Sequence, residues 1–222
     1  MNVELSVVIV NYNSGELLGL AVQSLRNYVQ VDYEVIVVDN ESTDDSLSLL
    51  PVSENVHVIR AGQNLGFAKA CNIGARAAKG QLLHFLNPDA RVTENINECY
   101  HSALVDLDSI YVTRIENTRT ATERSSYPLP TIGNILNLLF FPGRVARWHI
   151  GASVVVPRGV FNQLGGWSED YFMYVEDLDF FYKAWVARIA TVSSNSLVVH
   201  DQGGTTRKVW TDLERLRRVE KS

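Results

Sequence analysis

Cysteine is scarce: Cys71 and Cys99 are the only two in 222 residues. That excludes a disulfide framework and points to a reducing compartment. A basic excess is also missing, with 20 Lys plus Arg against 25 Asp plus Glu and a formal net charge of -5. A general nucleic-acid binder would show the opposite balance. No apolar run approaches the roughly 20 residues that span a bilayer. Met1 leads into a strand-like pattern without the basic segment and apolar core of a signal peptide, so the expected location is the cytoplasm. Fixed-period repeats and low-complexity tracts are absent too. The chain is 46% hydrophobic and 20% charged, an ordinary globular composition, and it is long enough for one large domain with a sizeable core.

The stretch from Gly80 to Arg91, Gly-Gln-Leu-Leu-His-Phe-Leu-Asn-Pro-Asp-Ala-Arg, organises the rest. Leu82, Leu83, Phe85 and Leu86 form a short apolar run, the pattern of a central strand buried on both faces. Pro88 has no N–H for a ladder, so the strand is expected to stop at Asn87. Asp89 is left just past its carboxyl end. Ligands of open α/β sheets bind outside those ends, and a carboxylate there is well sited to hold a metal or a sugar hydroxyl. Taken alone, Asn-Pro-Asp reads as a turn; the remaining pattern adds to it.

Leu5–Val10 and Tyr33–Val38 are buried-strand runs, and Val56–Ile59 is a third strand. Between the first two, Leu18, Ala21, Val22, Leu25 and Val29 recur at helical spacing, with Asn13 and Glu16 resembling a capping box. Ser42 and Asp45 offer a cap to a short helix closed by Pro51. Phe67, Ala70, Cys71, Gly74, Ala77 and Ala78 mark a closely packed helix, with Gly80 expected as its C′ residue. Strands alternating with helices give βαβ units and a parallel sheet.

Further on, Thr93 is expected to cap a helix whose inner face is Ile96, Cys99, Tyr100, Ala103 and Leu104. Ser109–Ile115 is expected as a strand, and 116–130 as a polar loop. Ile132–Phe141 reads as a core helix, with a lipid-facing surface as its alternative. His149–Val156 is expected as one strand, followed by a helix opened by Pro157 and closed by Gly165 and Gly166. A helix starting at Glu176 and Asp177 should turn Leu178, Phe181, Tyr182 and Trp185 inward. Ser196–Val199 is a last strand ending at His200. Thr206–Lys221 reads as a basic amphipathic helix.

These pieces, in order, resemble the family 2 glycosyltransferases of GT-A fold, and within them bacterial rhamnosyltransferase-like enzymes of surface polysaccharide synthesis. The residues that carry the resemblance are Val7-Val8-Ile9-Val10-Asn11-Tyr12-Asn13, Val37-Val38-Asp39-Asn40-Glu41-Ser42-Thr43-Asp44, Asn64-Leu65-Gly66-Phe67-Ala68 with Asn72-Ile73-Gly74, and Leu86-Asn87-Pro88-Asp89. They continue with Gly151-Ala152, Leu164-Gly165-Gly166-Trp167, Tyr174-Val175-Glu176-Asp177-Leu178-Asp179 and Val199-His200. The implied fold is a single α/β GT-A domain, a mixed, mainly parallel sheet flanked by helices. Residues 1–92 would form its nucleotide-binding half and 93–222 its acceptor and catalytic half.

Asp39 ends the second strand, where a carboxylate can accept the N3–H of uracil or thymine; the resemblance implies that role. Asn11 and Asn13 lie beside it, and Asn13 serves either the site or the helix cap. Asn64, Gly66 and Phe67 belong to a Gly-containing loop entering a helix, where exposed N–H groups favour phosphate. Asn72 either touches the nucleotide or ties that loop. Asn87 stands where the family carries its first acid; it can hydrogen-bond a ribose but brings no charge.

Asp89 and His200 are then the metal-ligand candidates, suited to Mn²⁺ or Mg²⁺, with diphosphate oxygens completing the shell. The resemblance implies Asp177 as the base of an inverting transfer, with Glu176 its nearest alternative and Asp179 third. Trp167 and Tyr171 are candidates for an acceptor wall, and as aromatics equally for the core. The implied donor is dTDP-rhamnose or a UDP-sugar, and the acceptor a saccharide or lipid-linked saccharide. The basic terminal helix suits peripheral association with the inner face of an anionic membrane.

Three features depart from the family pattern: Asn87, Tyr182-Lys183-Ala184 where an Arg is usual, and a chain that ends soon after His200. A catalytically inactive sugar-nucleotide-binding protein is the alternative. A nucleotidyltransferase is disfavoured, because Asn11-Tyr12-Asn13-Ser14-Gly15 contains no basic residue.

Overall fold

The computed structural model describes residues 3–117, 125–140 and 145–201. The helix expected over 206–221 lies outside them. Within them, β1 (Leu5–Asn11), β2 (Tyr33–Asp39), β3 (Val56–Arg60), β4 (Leu82–Leu86), β5 (Ala90–Val92), β6 (Ile110–Asn117), β9 (Ser153–Pro157) and β10 (Thr191–His200) form one sheet. Its order is β3-β2-β1-β4-β9-β6-β10-β5. β1 pairs in parallel with β2 and β4, β2 with β3, and β6 with β10. β9 runs antiparallel to β4 and β6, and β5 antiparallel to β10. The sheet is mixed: β1 to β4 are parallel, and a second parallel pair, β6 and β10, lies beyond the antiparallel β9.

The apolar runs of β1, β2 and β4 are continuous because helices cover both faces. Successive side chains point to opposite faces. Val8, Val10, Ile36, Val38, Leu83 and Phe85 pack with α2 (Phe67–Ala77), α5 (Arg158–Gln163) and α6 (Glu176–Val186). Val7, Ile9, Val35, Val37, Leu82 and Leu86 pack with α1 (Glu16–Tyr28) and α3 (Ile96–Val105). Each fully buried Val, Leu or Phe contributes roughly 1.5–3 kcal/mol of transfer free energy.

Several expected boundaries move. Residues 43–50 form turns, not a helix; Ser and Asp side chains there bond backbone groups and compete with helical pairing. Gly80 is no helix C′ residue, since α2 ends earlier with Ala78 as its cap. Gly80 is glycine because a Cβ would lie 2.5 Å from the Ser6 nitrogen. Neither Asn13 nor Thr93 caps a helix: Gly15 and Asn95 hold those positions. Sequence reading missed β5.

The expected strand over 149–156 splits at 150–152. Its first part, β8 (Arg147–His149), pairs with β7 (Ser126–Pro128) as a separate two-stranded ribbon. β6 and β7 thus replace both ends of the expected loop over 116–130. Between β7 and β8 lies α4 (Ile132–Phe140). Of its described side chains, Ile132 is 81% and Ile135 59% exposed, and Asn134 is buried. On α6, Phe180, Phe181 and Ala184 face inward, while Tyr182 and Trp185 are exposed.

Candidate active site

The parallel strands bring their carboxyl ends to one sheet edge. Asn11 pairs with Asp39 in register. β10 ends with His200 opposite Ala90 on one side and Asn117 on the other. β9 runs the other way, so Gly151 and Ala152, which precede it, reach the same edge. Candidate residues scattered from 11 to 200 therefore converge.

At the nucleotide end, Asn11 is fully buried and its Nδ2 donates to Asp39 Oδ1 at 2.9 Å. The same amide donates to Ser42 Oγ and Ser46 Oγ, and Ser14 Oγ donates to its Oδ1. With its amide group committed, Asn11 orients Asp39. Asn13 Oδ1 accepts from the Thr43 and Asp44 amides at 2.7 and 3.3 Å, which clips the first loop to the second. Asn40, absent from the expected site, donates from Nδ2 to the Gly66 carbonyl at 3.0 Å and joins the second loop to the third.

The third loop differs from expectation. The Phe67 amide, first in α2, donates to the Phe172 carbonyl at 2.9 Å, so it is not open to phosphate. Gly66 has φ +82, and a Cβ there would lie 2.2 Å from that carbonyl oxygen. The Asn64 side chain accepts from the Gly66 amide at 3.1 Å and shapes the turn. The Asn72 side chain bonds neither the third loop nor α2 but the segment beyond it: Nδ2 donates to Trp167 O and Glu169 Oε1, and Oδ1 accepts from the Trp167 amide. The segment 167–175 is thereby strapped to α2.

At the middle of the edge, Asp89 Oδ1 and His200 Nε2 lie 3.2 Å apart, both buried. Atoms so close can bind one cation together, and a carboxylate with an imidazole suits Mn²⁺ or Mg²⁺. Among the described residues no group of three His, Cys, Asp or Glu side chains could hold a metal, so these two would need oxygens from a ligand. Asn87 is partly exposed beside them.

Two adjacent acids, Glu176 and Asp177, open α6. Asp177 Oδ1 accepts from the Leu178 amide at 2.8 Å and Oδ2 from the Gly151 amide at 3.2 Å. Burial raises its pKa, and the amide bonds act against that rise. Glu176 is 6% exposed, and among the described residues its Oε2 has no hydrogen-bond partner. Burial, then the Asp177 charge, push Glu176 up to about 8. Tyr174 and Val175, just before it, have φ of 67 and 71. The left-handed region is unfavourable for a β-branched residue, and such strain concentrates at functional sites.

Trp167 is a correction. It is 1% exposed and packed against Phe85, Phe67 and Phe180, so it has no face to offer an acceptor. Tyr171 is partly exposed. An aromatic pair that the sequence reading missed lies across the ribbon: Tyr127 and Trp148 stack at 5.0 Å and 24° and are both half-buried. Trp148 lies three residues before the Gly151 that bonds Asp177. Only the ribbon pairing, which a continuous apolar run concealed, brings Tyr127 to it.

The open mixed sheet, with acids and a histidine gathered at one edge, is the GT-A architecture of nucleotide-diphospho-sugar transferases. The chain belongs to Glycosyl transferase family 2, whose profile it matches over residues 6–159. It is similar to the low-salt glycan biosynthesis hexosyltransferase Agl10 of Haloferax volcanii, 31% identical over 82% of this chain and 61% of that protein. It is also similar to the N-acetylglucosaminyl-diphospho-decaprenol L-rhamnosyltransferase of Mycobacterium tuberculosis, 26% identical over 79% of this chain and 68% of the other. In fold it resembles S. aureus TarS 1-349 in complex with UDP-GlcNAc, with TM-score 0.66, 18% identity, and coverage of 97% of this chain and 64% of TarS. The chain thus spans under two thirds of the Haloferax protein and of that TarS chain. No helix of the described residues is long and apolar enough to cross a membrane.

Proposed function

We propose that this chain transfers a sugar from a nucleotide diphospho-sugar to an acceptor hydroxyl, with inversion, in the synthesis of a surface polysaccharide. The carrying observation is the convergence of Asp39, Asp89, His200 and Asp177 at one sheet edge. Residues 1–92 bind the nucleotide: Asp39, held by Asn11, accepts the base N3–H. Loops carrying Asn13, Asn64, Gly66 and Phe67 shape the pocket, and Asn87 meets the ribose. Asp89 and His200 would hold Mn²⁺ or Mg²⁺, and the ion would supply charge neutralisation of the diphosphate there.

Residues 93–222 serve the acceptor. Asp177 takes the acceptor proton as the new bond forms at the sugar carbon; the old C–O bond breaks and its electron pair leaves with the diphosphate. The inverting course needs a base on the acceptor side, and the half-buried Asp177 beside Gly151 suits it. Tyr171 and the Tyr127–Trp148 pair wall the acceptor. Trp148→Ala should raise the acceptor KM and leave nucleotide binding unchanged; an unchanged KM would remove the pair from the site.

The donor reading, dTDP-rhamnose or a UDP-sugar, is supported by the rhamnosyltransferase named above and by the TarS complex with UDP-GlcNAc. A lipid-linked acceptor is supported by the diphospho-decaprenol in that relative's name and by exposed Ile132 and Ile135 on α4. Both suit an enzyme of the cytoplasm working at the inner face of a membrane.

The test is a thermal-shift panel of UDP, dTDP, GDP and their sugars, with and without Mn²⁺. A ligand at a hundredfold excess over its dissociation constant stabilises the native state by about 2.7 kcal/mol. A metal-enhanced shift with UDP or dTDP that is lost in Asp39→Ala is expected. No shift with any nucleotide would overturn the reading.

A further inference from the structure

Glu176 and Asp177 are adjacent acids, yet their surroundings differ. Asp177 receives two backbone N–H groups, from Leu178 and Gly151, and such bonds favour the charged form. Glu176 is nearly sealed from solvent, and its Oε2 receives none from the described residues. It starts α6 with Phe180 one turn on, and Phe180 packs with the α2 side of the sheet. Among the described residues, the titratable groups that act on it or feel its charge are Asp177 on its own helix and Cys71 on α2, whose thiol is pushed well above its usual range by burial and then by the Glu176 charge. His149 on β8 meets Phe181 instead, at 5.2 Å between rings, and burial keeps that histidine neutral, down at about 4. No cation answers a Glu176 carboxylate on any of these elements.

We propose that Glu176 is a positioning residue that works as a neutral carboxylic acid: it keeps one proton throughout the reaction, so that the single negative charge of the pair is on Asp177 until Asp177 takes the acceptor proton. The inference rests on Asp177 being the base. In the transfer, the acceptor proton goes to Asp177 and the Glu176 proton does not move. Two charges there would repel each other and the leaving diphosphate, and a buried unpaired carboxylate would strain the first turn of α6. The left-handed Tyr174–Val175 link makes that turn sensitive, because it is already held in a costly conformation.

The decisive variant is Glu176→Gln, which keeps the shape of the acid and cannot ionise. The readouts are thermal midpoint against pH, the infrared band of a protonated carboxylic acid, and nucleoside diphosphate release. Release is followed from whichever UDP-, dTDP- or GDP-sugar gives the largest thermal shift. Wild type should show the acid band at pH 7 and lose it above pH 8, and the variant should lack it. Release by wild type should fall several-fold as pH rises through 8, while the variant keeps its neutral-pH rate on the alkaline side. A folded Glu176→Gln with neutral-pH release cut a hundredfold would overturn the proposal, since ionised Glu176 would then be needed. An alkaline fall identical in both proteins would overturn it too. Asp177→Asn separates the two ideas: if it still turns over, the base assignment itself has failed.

Discussion

The Gly151 amide donates to Asp177 Oδ2 across 3.2 Å, and this bond ties the start of α6 to the turn that feeds β9. Asp177 therefore sits at the same sheet edge as Asp39, Asp89 and His200, although no two of these four residues are neighbours in sequence. The sheet order brings them together: β9 runs back between β4 and β6 and begins where its neighbours end.

Asp89 and His200 should act as one metal site. Asp89→Ala and His200→Ala are each expected to weaken apparent Mn²⁺ affinity by at least about tenfold, read as loss of the metal-enhanced part of the nucleotide shift. A wild-type shift indifferent to Mn²⁺ and Mg²⁺ would remove the metal from the mechanism.

Gly66→Ala should be costly without touching any ligand. The new Cβ would meet the Phe172 carbonyl, and φ +82 is a glycine conformation. The expected loss is about 1–3 kcal/mol of stability, measured by denaturant midpoint. Transfer activity should fall with it, because the strap over 167–175 leads into Glu176 and Asp177. A variant of wild-type stability would mean that the strap yields easily.

His84 sets an acid limit on stability. Buried between the Tyr100 hydroxyl and Ser153 Oγ, each at 2.9 Å, it is pushed by burial down to about 3. Between that value and the usual histidine range, the unfolded chain binds a proton that the native state refuses. Stability therefore rises with pH through this window, is complete above about pH 6.5, and is lost as pH falls toward 3. His84→Gln should flatten that acid limb in unfolding curves taken from pH 3 to 7. An unchanged slope would place the acid sensitivity elsewhere.

The strand ends were legible because each apolar run stops at residues with a physical reason to stop it, such as Pro88 after Leu86 or the Asn and Ser cluster after Val10. Hence Asp39, Asp89 and His200 could be placed from sequence. Partner choice was less legible. Asn72 and Trp167 look like site residues by type, but the fold spends the first on the strap and the second on the core. The break between β8 and β9 was hidden, since Ile150 and Ala152 join Trp148 to the apolar run 154–156 and only pairing with β7 separates the two strands. On α6 aromatics occupy both faces, so periodicity could not tell Phe180 from Tyr182. For α4, apolar content alone does not distinguish a buried face from an exposed one.

The most direct measurement compares Asp177→Asn with wild type in two assays on the same samples: sugar-nucleotide binding by thermal shift, and nucleoside diphosphate release in the presence of polyprenyl-diphosphate-linked saccharide. Binding should be unchanged, while release should fall by about 10²–10⁴-fold, the contribution of a positioned base. Equal release by the two proteins would contradict Asp177 as the base. Binding without release by either would make this chain a sugar-nucleotide-binding protein and not a transferase.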